Sequence, residues 1–132
     1  MKKPVLFILL IVCIACKSAK DKPNEIAITS KKEVVKDAYT FVINKVISDS
    51  RCPEGTNCIW AGELVLEVSA WENKVLKETV VLTFSPSSNE ENRSWFSKYL
   101  PQNKKLKTFK ISPTKTENQL ALKEYKIELI LE

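Results

Sequence analysis

The sequence predicts a small all-β domain, an antiparallel β-sandwich or barrel of five to seven strands with one short helix. Apolar and polar residues alternate along several short segments, and this period of two is typical of half-buried strands. Only one segment has helical spacing. The chain has 132 residues, of which 44% are hydrophobic, so it can bury one modest core.

The first fifteen residues have the pattern of a secretory signal peptide, which is cleaved from the mature protein. Lys2 and Lys3 form a positive start, and the apolar run 5–14 follows them. This run holds about ten residues, whereas a membrane-spanning helix needs about twenty. We therefore expect cleavage and export rather than a retained membrane helix.

The end of this run, Cys13-Ile14-Ala15-Cys16, resembles the lipobox of bacterial lipoproteins, in which a small residue precedes a cysteine that receives a diacylglyceryl thioether. Cys13 departs from the usual Leu or Val. The resemblance implies a mature chain that begins at Cys16 with several acyl chains, which form a stable membrane anchor. The residue after Cys16 is Lys17 rather than an aspartate, and in this respect the sequence resembles lipoproteins that are sent to the outer membrane. The alternative is an ordinary signal peptide that leaves Cys16 as a free thiol.

Residues 16–30 are predicted to be the lipidated N-terminus and a flexible tether, because charged and small residues and Pro23 leave little apolar periodicity. The β-domain is expected to occupy residues 31–132. Five of its segments alternate as strands do: 39–47, 64–71, 74–84, 106–111 and 125–132. Glu72 and Asn73 predict a tight hairpin between the second and third of them.

A short helix is predicted after the third strand. Ser88 and Glu91 have the spacing of a capping box. Four apolar residues at helical spacing then precede Pro101, namely Trp95, Phe96, Tyr99 and Leu100. This aromatic face either closes one end of the β-domain or presents Trp95 and Tyr99 to a partner.

Cysteine and histidine usage limits the chemistry of the chain. It contains four Cys and no His, which excludes an imidazole base and the commonest metal ligand. After processing, Cys52 and Cys58 remain in an oxidising compartment and are expected to form a disulfide worth about 2 kcal/mol. A redox pair would need a thiol of low pKa, and a metal site would need further soft ligands. No metal and no cofactor are expected.

Residues 49–53, DSRCP, and 58–62, CIWAG, resemble the D-S-R-C-P…C-x-W-x-G signature of a family of small secreted and lipid-anchored bacterial β-proteins. The similarity is specific across these fourteen positions and looser outside them, where it includes Pro113 and a closing strand near Tyr125. It implies an architecture rather than an activity.

The motif has two physical interpretations. In the first it is a rigid corner: Pro53 and Gly55 form a turn, Gly62 allows a bulge or close backbone approach, and Trp60 packs over the disulfide. Asp49 and Arg51 then pair or cap the loop. In the second it is a recognition surface, since rigid aromatic and arginine contacts often supply interface energy. That surface consists of Asp49, Arg51, Glu54, Asn57 and Trp60.

The net charge of +5 resides mainly in the signal peptide and tether, since residues 26–132 carry 16 basic and 14 acidic side chains. A nucleic-acid partner is therefore not expected. The densest basic cluster either meets membrane phosphates or protects an exposed edge strand. Its members are Lys98, Lys104, Lys105, Lys107 and Lys110.

These patterns predict a non-catalytic lipoprotein of the cell envelope, anchored in the outer membrane through Cys16, on its periplasmic or surface face. Its β-domain binds or supports another envelope component. An alternative is an inhibitor-like module that presents the stapled loop, residues 49–60, to a hydrolase or another protein. An enzyme that uses Asp49, Glu54 and Glu63, or a Ser-Lys pair, is disfavoured because no spacing singles these residues out.

Overall fold

The computed structural model describes residues 24–32 and 38–132. The predicted signal peptide, Cys16 and residues 17–23 lie outside this part of the chain. The described residues form six strands, one α-helix and a single-turn 3-10 helix at Leu122–Glu124. The longer elements are β1 Glu25–Ile28, β2 Tyr39–Asp49, β3 Leu64–Glu72, β4 Val75–Phe84, α1 Asn89–Ser97, β5 Leu106–Ser112 and β6 Lys126–Leu131.

The strands form two antiparallel sheets of three strands each, with the orders β1-β6-β5 and β2-β3-β4. On one side the two sheets are joined where the Ile43 amide donates a hydrogen bond to the Thr29 carbonyl at 2.9 Å. The barrel is not closed, and the fold is the predicted β-sandwich with one short helix.

The core lies between the sheets, and alternation places the side chains in it. Leu64, Leu66 and Val68 on β3 are fully buried, as are Ile127 and Leu129 on β6. Full burial of an aliphatic side chain contributes about 1.5–3 kcal/mol. These two central strands therefore carry much of the stabilisation of the sandwich.

Helix α1 fills the open side between β4 and β5. Phe96 is fully buried and Trp95 nearly so, and the indole N–H of Trp95 donates to Glu78 on β4 at 3.1 Å. The ring of Phe96 lies 5.5 Å from that of Phe41 across the core. The aromatic face of the helix thus closes the β-domain, as the first of the two interpretations predicts.

Polar side chains of α1 also donate hydrogen bonds to backbone carbonyls of the two edge strands β4 and β5. The Asn92 amide donates to the Thr83 carbonyl on β4 at 2.8 Å. The Arg93 guanidinium donates to the carbonyls of Leu106 and Lys107 on β5, both at 2.9 Å. Because unpaired edge groups invite pairing with another chain, the helix protects both edges along part of their length.

The start of the helix differs from the predicted capping box. Ser88 is the N-cap residue, but its side chain makes no capping hydrogen bond. Its hydroxyl donates to the Thr83 carbonyl and accepts from the Ser85 amide. The hydroxyl therefore connects the start of the helix to β4 instead of accepting a hydrogen bond from an amide of the first helical turn.

The folded domain starts earlier than the sequence pattern predicts. β1 lies within the segment assigned to the tether, and its Ile28 is fully buried. The strand pairs along its whole length with β6, at the far end of the chain. This long-range pairing converts a weakly patterned segment into an element of the sheet.

The strand directions give the sandwich two distinct ends. The loop end contains the loop 50–63 and is marked by Asp49, Leu64, Phe84, Ser112 and Lys126. The tether end, where the described chain begins, is marked by Asn24, Tyr39, Glu72, Val75 and Leu131. The strands β1 and β2 run in parallel from the tether end towards the loop end.

We expect Ile28→Ala to destabilise the protein by about 2–4 kcal/mol, because it leaves a cavity beneath β1. Lys31→Ala, an exposed change three residues later, should alter stability by less than about 0.5 kcal/mol. Urea denaturation followed by circular dichroism measures both. Equal, small effects would show that this segment is not part of the cooperative fold.

Candidate functional site

The base of the loop 50–63 is held by an ion pair between Asp49, the last residue of β2, and Arg51. The Arg51 guanidinium donates two hydrogen bonds to the carboxylate, at 2.8 and 2.9 Å, and the Tyr125 hydroxyl donates a third at 2.9 Å. The carboxylate is 9% exposed. Sequence reasoning anticipated the Asp49–Arg51 pair but not Tyr125, which lies far away in sequence.

The pKa values of the three groups reflect this arrangement. Burial alone would raise the pKa of Asp49, but the hydrogen bonds from Arg51 and Tyr125 and the charge of Arg51 lower it to about 2. Burial, together with the hydrogen bond to Asp49, raises the pKa of Tyr125 to about 12. The hydrogen bond to Asp49 raises the pKa of Arg51. At neutral pH the site therefore contains a fixed carboxylate, a guanidinium and a neutral phenol.

The segment after β5 completes the base of the loop. The guanidinium of Arg51 donates to the Pro113 carbonyl at 3.0 Å, and the Lys115 ammonium donates to the Asp49 carbonyl. In return, the Glu54 amide donates to the Lys115 carbonyl at 2.8 Å. The loop is thus bonded to the end of β2 in one sheet and to the segment that follows β5 of the other sheet.

The predicted disulfide is present between Cys52 and Cys58, whose Cα atoms lie 5.9 Å apart. Within the bridged loop, the Thr56 hydroxyl donates to the Pro53 carbonyl at 2.7 Å. Gly55 has φ +81°, the left-handed conformation that the sequence anticipates for this turn. The bridge and the turn together limit the conformations of the loop.

Gly62 permits a close approach of the two sides of the loop. It has φ +67°, and a Cβ atom at this position would lie 1.9 Å from the Ser50 carbonyl oxygen. Beside it, the Ser50 amide donates to the Glu63 carbonyl at 2.8 Å. The sequence-based expectation of a close backbone approach at Gly62 is confirmed.

The five candidate recognition residues fall into two groups. Asp49 and Arg51 face the interior of the loop base, where they bond to each other, whereas Glu54, Asn57 and Trp60 are exposed. The expectation that Trp60 packs over the disulfide is wrong, because its side chain is 78% exposed. Asp49 and Arg51 therefore stabilise the base of the loop, and Trp60 is available at the surface.

Ile59, beside Trp60, is the functional candidate that sequence reasoning missed. It is 91% exposed, the highest value among the exposed large apolar residues of the described chain. The signal in the sequence was the adjacent placement of two large apolar residues, Ile59 and Trp60, directly after the bridged segment 52–58. These two residues are adjacent in sequence and both exposed, and we call them the Ile59–Trp60 pair.

Two grooves flank the loop base. One, of about 550 Å³, lies between β2 and the segment 115–125 and is lined largely by polar side chains. The other, of about 440 Å³, lies beside the disulfide and is lined by the apolar side chains of Phe84, Phe109 and Ile111. Ala61 and Gly62 of the loop also line the second groove.

Within residues 24–32 and 38–132, no three His, Cys, Asp or Glu side chains are grouped in a way that could hold a metal ion. In the same part of the chain, no helix is long and apolar enough to cross a membrane. Comparison of the chain with protein-family models, curated proteins and solved structures finds no match.

We expect the loop base to make stability depend on pH. Because folding lowers the pKa of Asp49 from 3.8 to about 2, its contribution of about 2 kcal/mol is present above pH 4 and is lost as the pH falls through about 2. Folding raises the pKa of Tyr125, so its contribution is lost as the pH rises from about 10 to about 12.

Urea unfolding of Asp49→Asn at a series of pH values tests the acidic part of this dependence. The variant should be less stable than the parent at neutral pH, and the difference should shrink as the pH falls from about 4 to about 2. Glu54→Gln, an exposed change on the same loop, is the control and should differ little at any pH. A gap for Asp49→Asn that stays constant to pH 2 would contradict the assigned ion pair.

The two loop glycines provide a matched comparison. Gly62→Ala should cost about 3 kcal/mol or more, because it adds a clash with the Ser50 carbonyl to the strain of a positive φ. Gly55→Ala should cost only the strain, about 1–2 kcal/mol, since nothing lies within 4 Å of the added Cβ. Thermal unfolding distinguishes them, and equal losses would count against the close approach at Gly62.

Proposed function

We propose that the protein is a lipid-anchored component of the bacterial cell envelope whose β-domain binds another envelope protein through the loop 50–63. One observation carries the binding role: Ile59 and Trp60 are 91% and 78% exposed on a loop that a disulfide and a buried ion pair hold in place. The anchor is inferred from the lipobox resemblance that ends at Cys16.

The Ile59–Trp60 pair suits a protein interface energetically. Burial of a large apolar side chain stabilises a complex by about 1.5–3 kcal/mol, and tryptophan is enriched among the residues that dominate binding. The disulfide and the ion pair keep the loop ordered before binding, which lowers the entropy lost on association. The exposed Glu54 and Asn57 provide polar groups at the margin of this surface.

The protonation state of Asp49 favours a structural role over a catalytic one at the loop base. Asp49 is fully ionised at neutral pH, since its pKa is about 2, and its oxygens accept hydrogen bonds from Arg51 and Tyr125. A general acid or base needs a pKa near the working pH. Asp49 therefore acts as a structural anion that positions the loop.

A second candidate is an inhibitor-like module, in which the loop enters the cleft of an envelope hydrolase. It is favoured by an apolar pair that directly follows the disulfide-closed segment 52–58, on a loop whose base is bonded to the segment after β5. In this case the soluble protein would inhibit a hydrolase, whereas a scaffold or adaptor would bind without inhibiting.

We expect Ile59→Ala and Trp60→Ala to abolish partner binding while changing stability by less than about 0.5 kcal/mol, because both side chains are exposed. In-cell crosslinking of the full-length protein, followed by mass spectrometry, identifies the partner and measures its loss. Val81→Ala, a 54% exposed apolar side chain on β4, is the matched control and should retain the partner. Unchanged crosslinks in both loop variants would overturn the proposal.

A further inference from the structure

We infer that the tether end of the domain rests on the membrane that holds the lipid anchor, through the hairpin between β3 and β4, and that the Ile59–Trp60 pair consequently faces away from that membrane. This inference rests on the proposed lipid anchor at Cys16. It adds an interaction surface, with the headgroup region of a lipid bilayer as its partner.

The topology places the beginning of the domain and the hairpin at the same end. Thr29 bridges to Val42 in parallel, so Asn24, five residues before Thr29, lies near the level at which β2 starts. The first residue of β2, Tyr39, pairs with Glu72, which in turn pairs with Val75. The chain therefore enters the domain at the same end as the hairpin, opposite the loop 50–63.

The segment between anchor and domain is short. Because β1 begins at Glu25 rather than beyond residue 30, only residues 17–23 separate Cys16 from Asn24. A fully extended chain of this length spans at most about 28 Å, less than the roughly 33 Å length of the ten-residue strand β4. The tether end is therefore the part of the domain that the anchor holds nearest to the membrane.

The hairpin has the chemistry of a membrane-surface contact. Val75 and Leu76 at the start of β4 are 58% and 48% exposed. Lys74 precedes them, is exposed, and forms no ion pair with the described residues. Two apolar side chains next to an ammonium group match the headgroup boundary, where apolar atoms reach the acyl region and lysine meets phosphate.

Charge at the tether end is modest. Lys77 pairs with Glu72 and Lys98 with Glu78, and the terminal residue Glu132 offsets part of the remaining charge. Lys104 lies beside the chain entry, 2.7 Å from the Asn24 side chain, and Lys105 is exposed next to it. With about 1 kcal/mol per unpaired lysine, electrostatics orients the domain, and the apolar hairpin supplies comparable contact energy.

The two further lysines of the cluster have a different position. Lys107 and Lys110 are exposed on β5, the edge strand of its sheet. They match the interpretation in which lysines protect an edge against pairing with another chain. The cluster predicted from the sequence thus divides between the tether end and a strand edge.

A fluorescence experiment on the full-length lipidated protein tests this orientation. The protein is reconstituted in vesicles of phosphatidylethanolamine and phosphatidylglycerol, with an environment-sensitive dye on Leu76→Cys at the tether end or on Thr114→Cys at the loop end. With Cys16 lipidated and Cys52 bonded to Cys58, the introduced cysteine is the thiol available for labelling. For the dye at position 76 we expect a blue shift and quenching by nitroxide-labelled lipid. For the dye at position 114 we expect neither effect.

Two substitutions on β4 serve as a matched pair. Val75→Asp should abolish the shift and quenching at position 76, because it places a carboxylate at the headgroup boundary. Val81→Asp, a comparable change on an exposed side chain farther from the tether end, should leave both signals intact. Loss of signal in both variants, or quenching at position 114 equal to that at position 76, would overturn the inference.

Flotation of the vesicles separates this inference from the proposed anchor. Protein that floats with the vesicles while the dye at position 76 remains in water would overturn the membrane-facing hairpin and leave the anchor standing. Protein that fails to float would overturn both. Floating protein with quenching confined to position 76 supports both.

Discussion

The ionised carboxylate of Asp49 holds the two sheets and the loop 50–63 in one arrangement. Asp49 ends β2 in one sheet, whereas Tyr125, which donates to it, directly precedes β6 in the other. Arg51 extends the network to Pro113 after β5. A buried ion pair is net favourable only when its geometry and remaining hydrogen bonds offset desolvation, and here Arg51 and Tyr125 satisfy both carboxylate oxygens.

This network gives the loop an unusual division of side chains. At the loop base Asp49 and Arg51 turn inward, while Ile59 and Trp60 are exposed to water. A loop that only connected two strands would gain stability from the reverse arrangement, since apolar surface favours burial. The exposed pair is not part of the buried core, and this contrast is the physical basis for the proposed binding role.

The sequence was most informative where local pattern decides structure. The period of two located β2 to β6, and export together with two remaining thiols predicted the Cys52–Cys58 bridge. β1 was missed because its burial depends on pairing with β6, about a hundred residues away. The orientation of Trp60 was mistaken because the alternation argument assumes extended backbone, whereas residues 50–63 contain no strand and Gly62 has a positive φ. In such a segment the position of a residue in the sequence no longer tells which face its side chain occupies.

The early start of β1 also affects what the loop can reach. A tether that extended to residue 30 would let the domain rotate freely above its anchor, so either end could meet the membrane. With β1 paired to β6 from Glu25 onward, the proposed tether is limited to residues 17–23, and β1 runs away from the proposed anchor at Cys16. Because β1 and β2 are parallel, the loop that follows β2 lies at the far end of the sandwich. In the proposed orientation, the same strand that shortens the tether therefore places the loop 50–63 at the end of the domain away from the membrane.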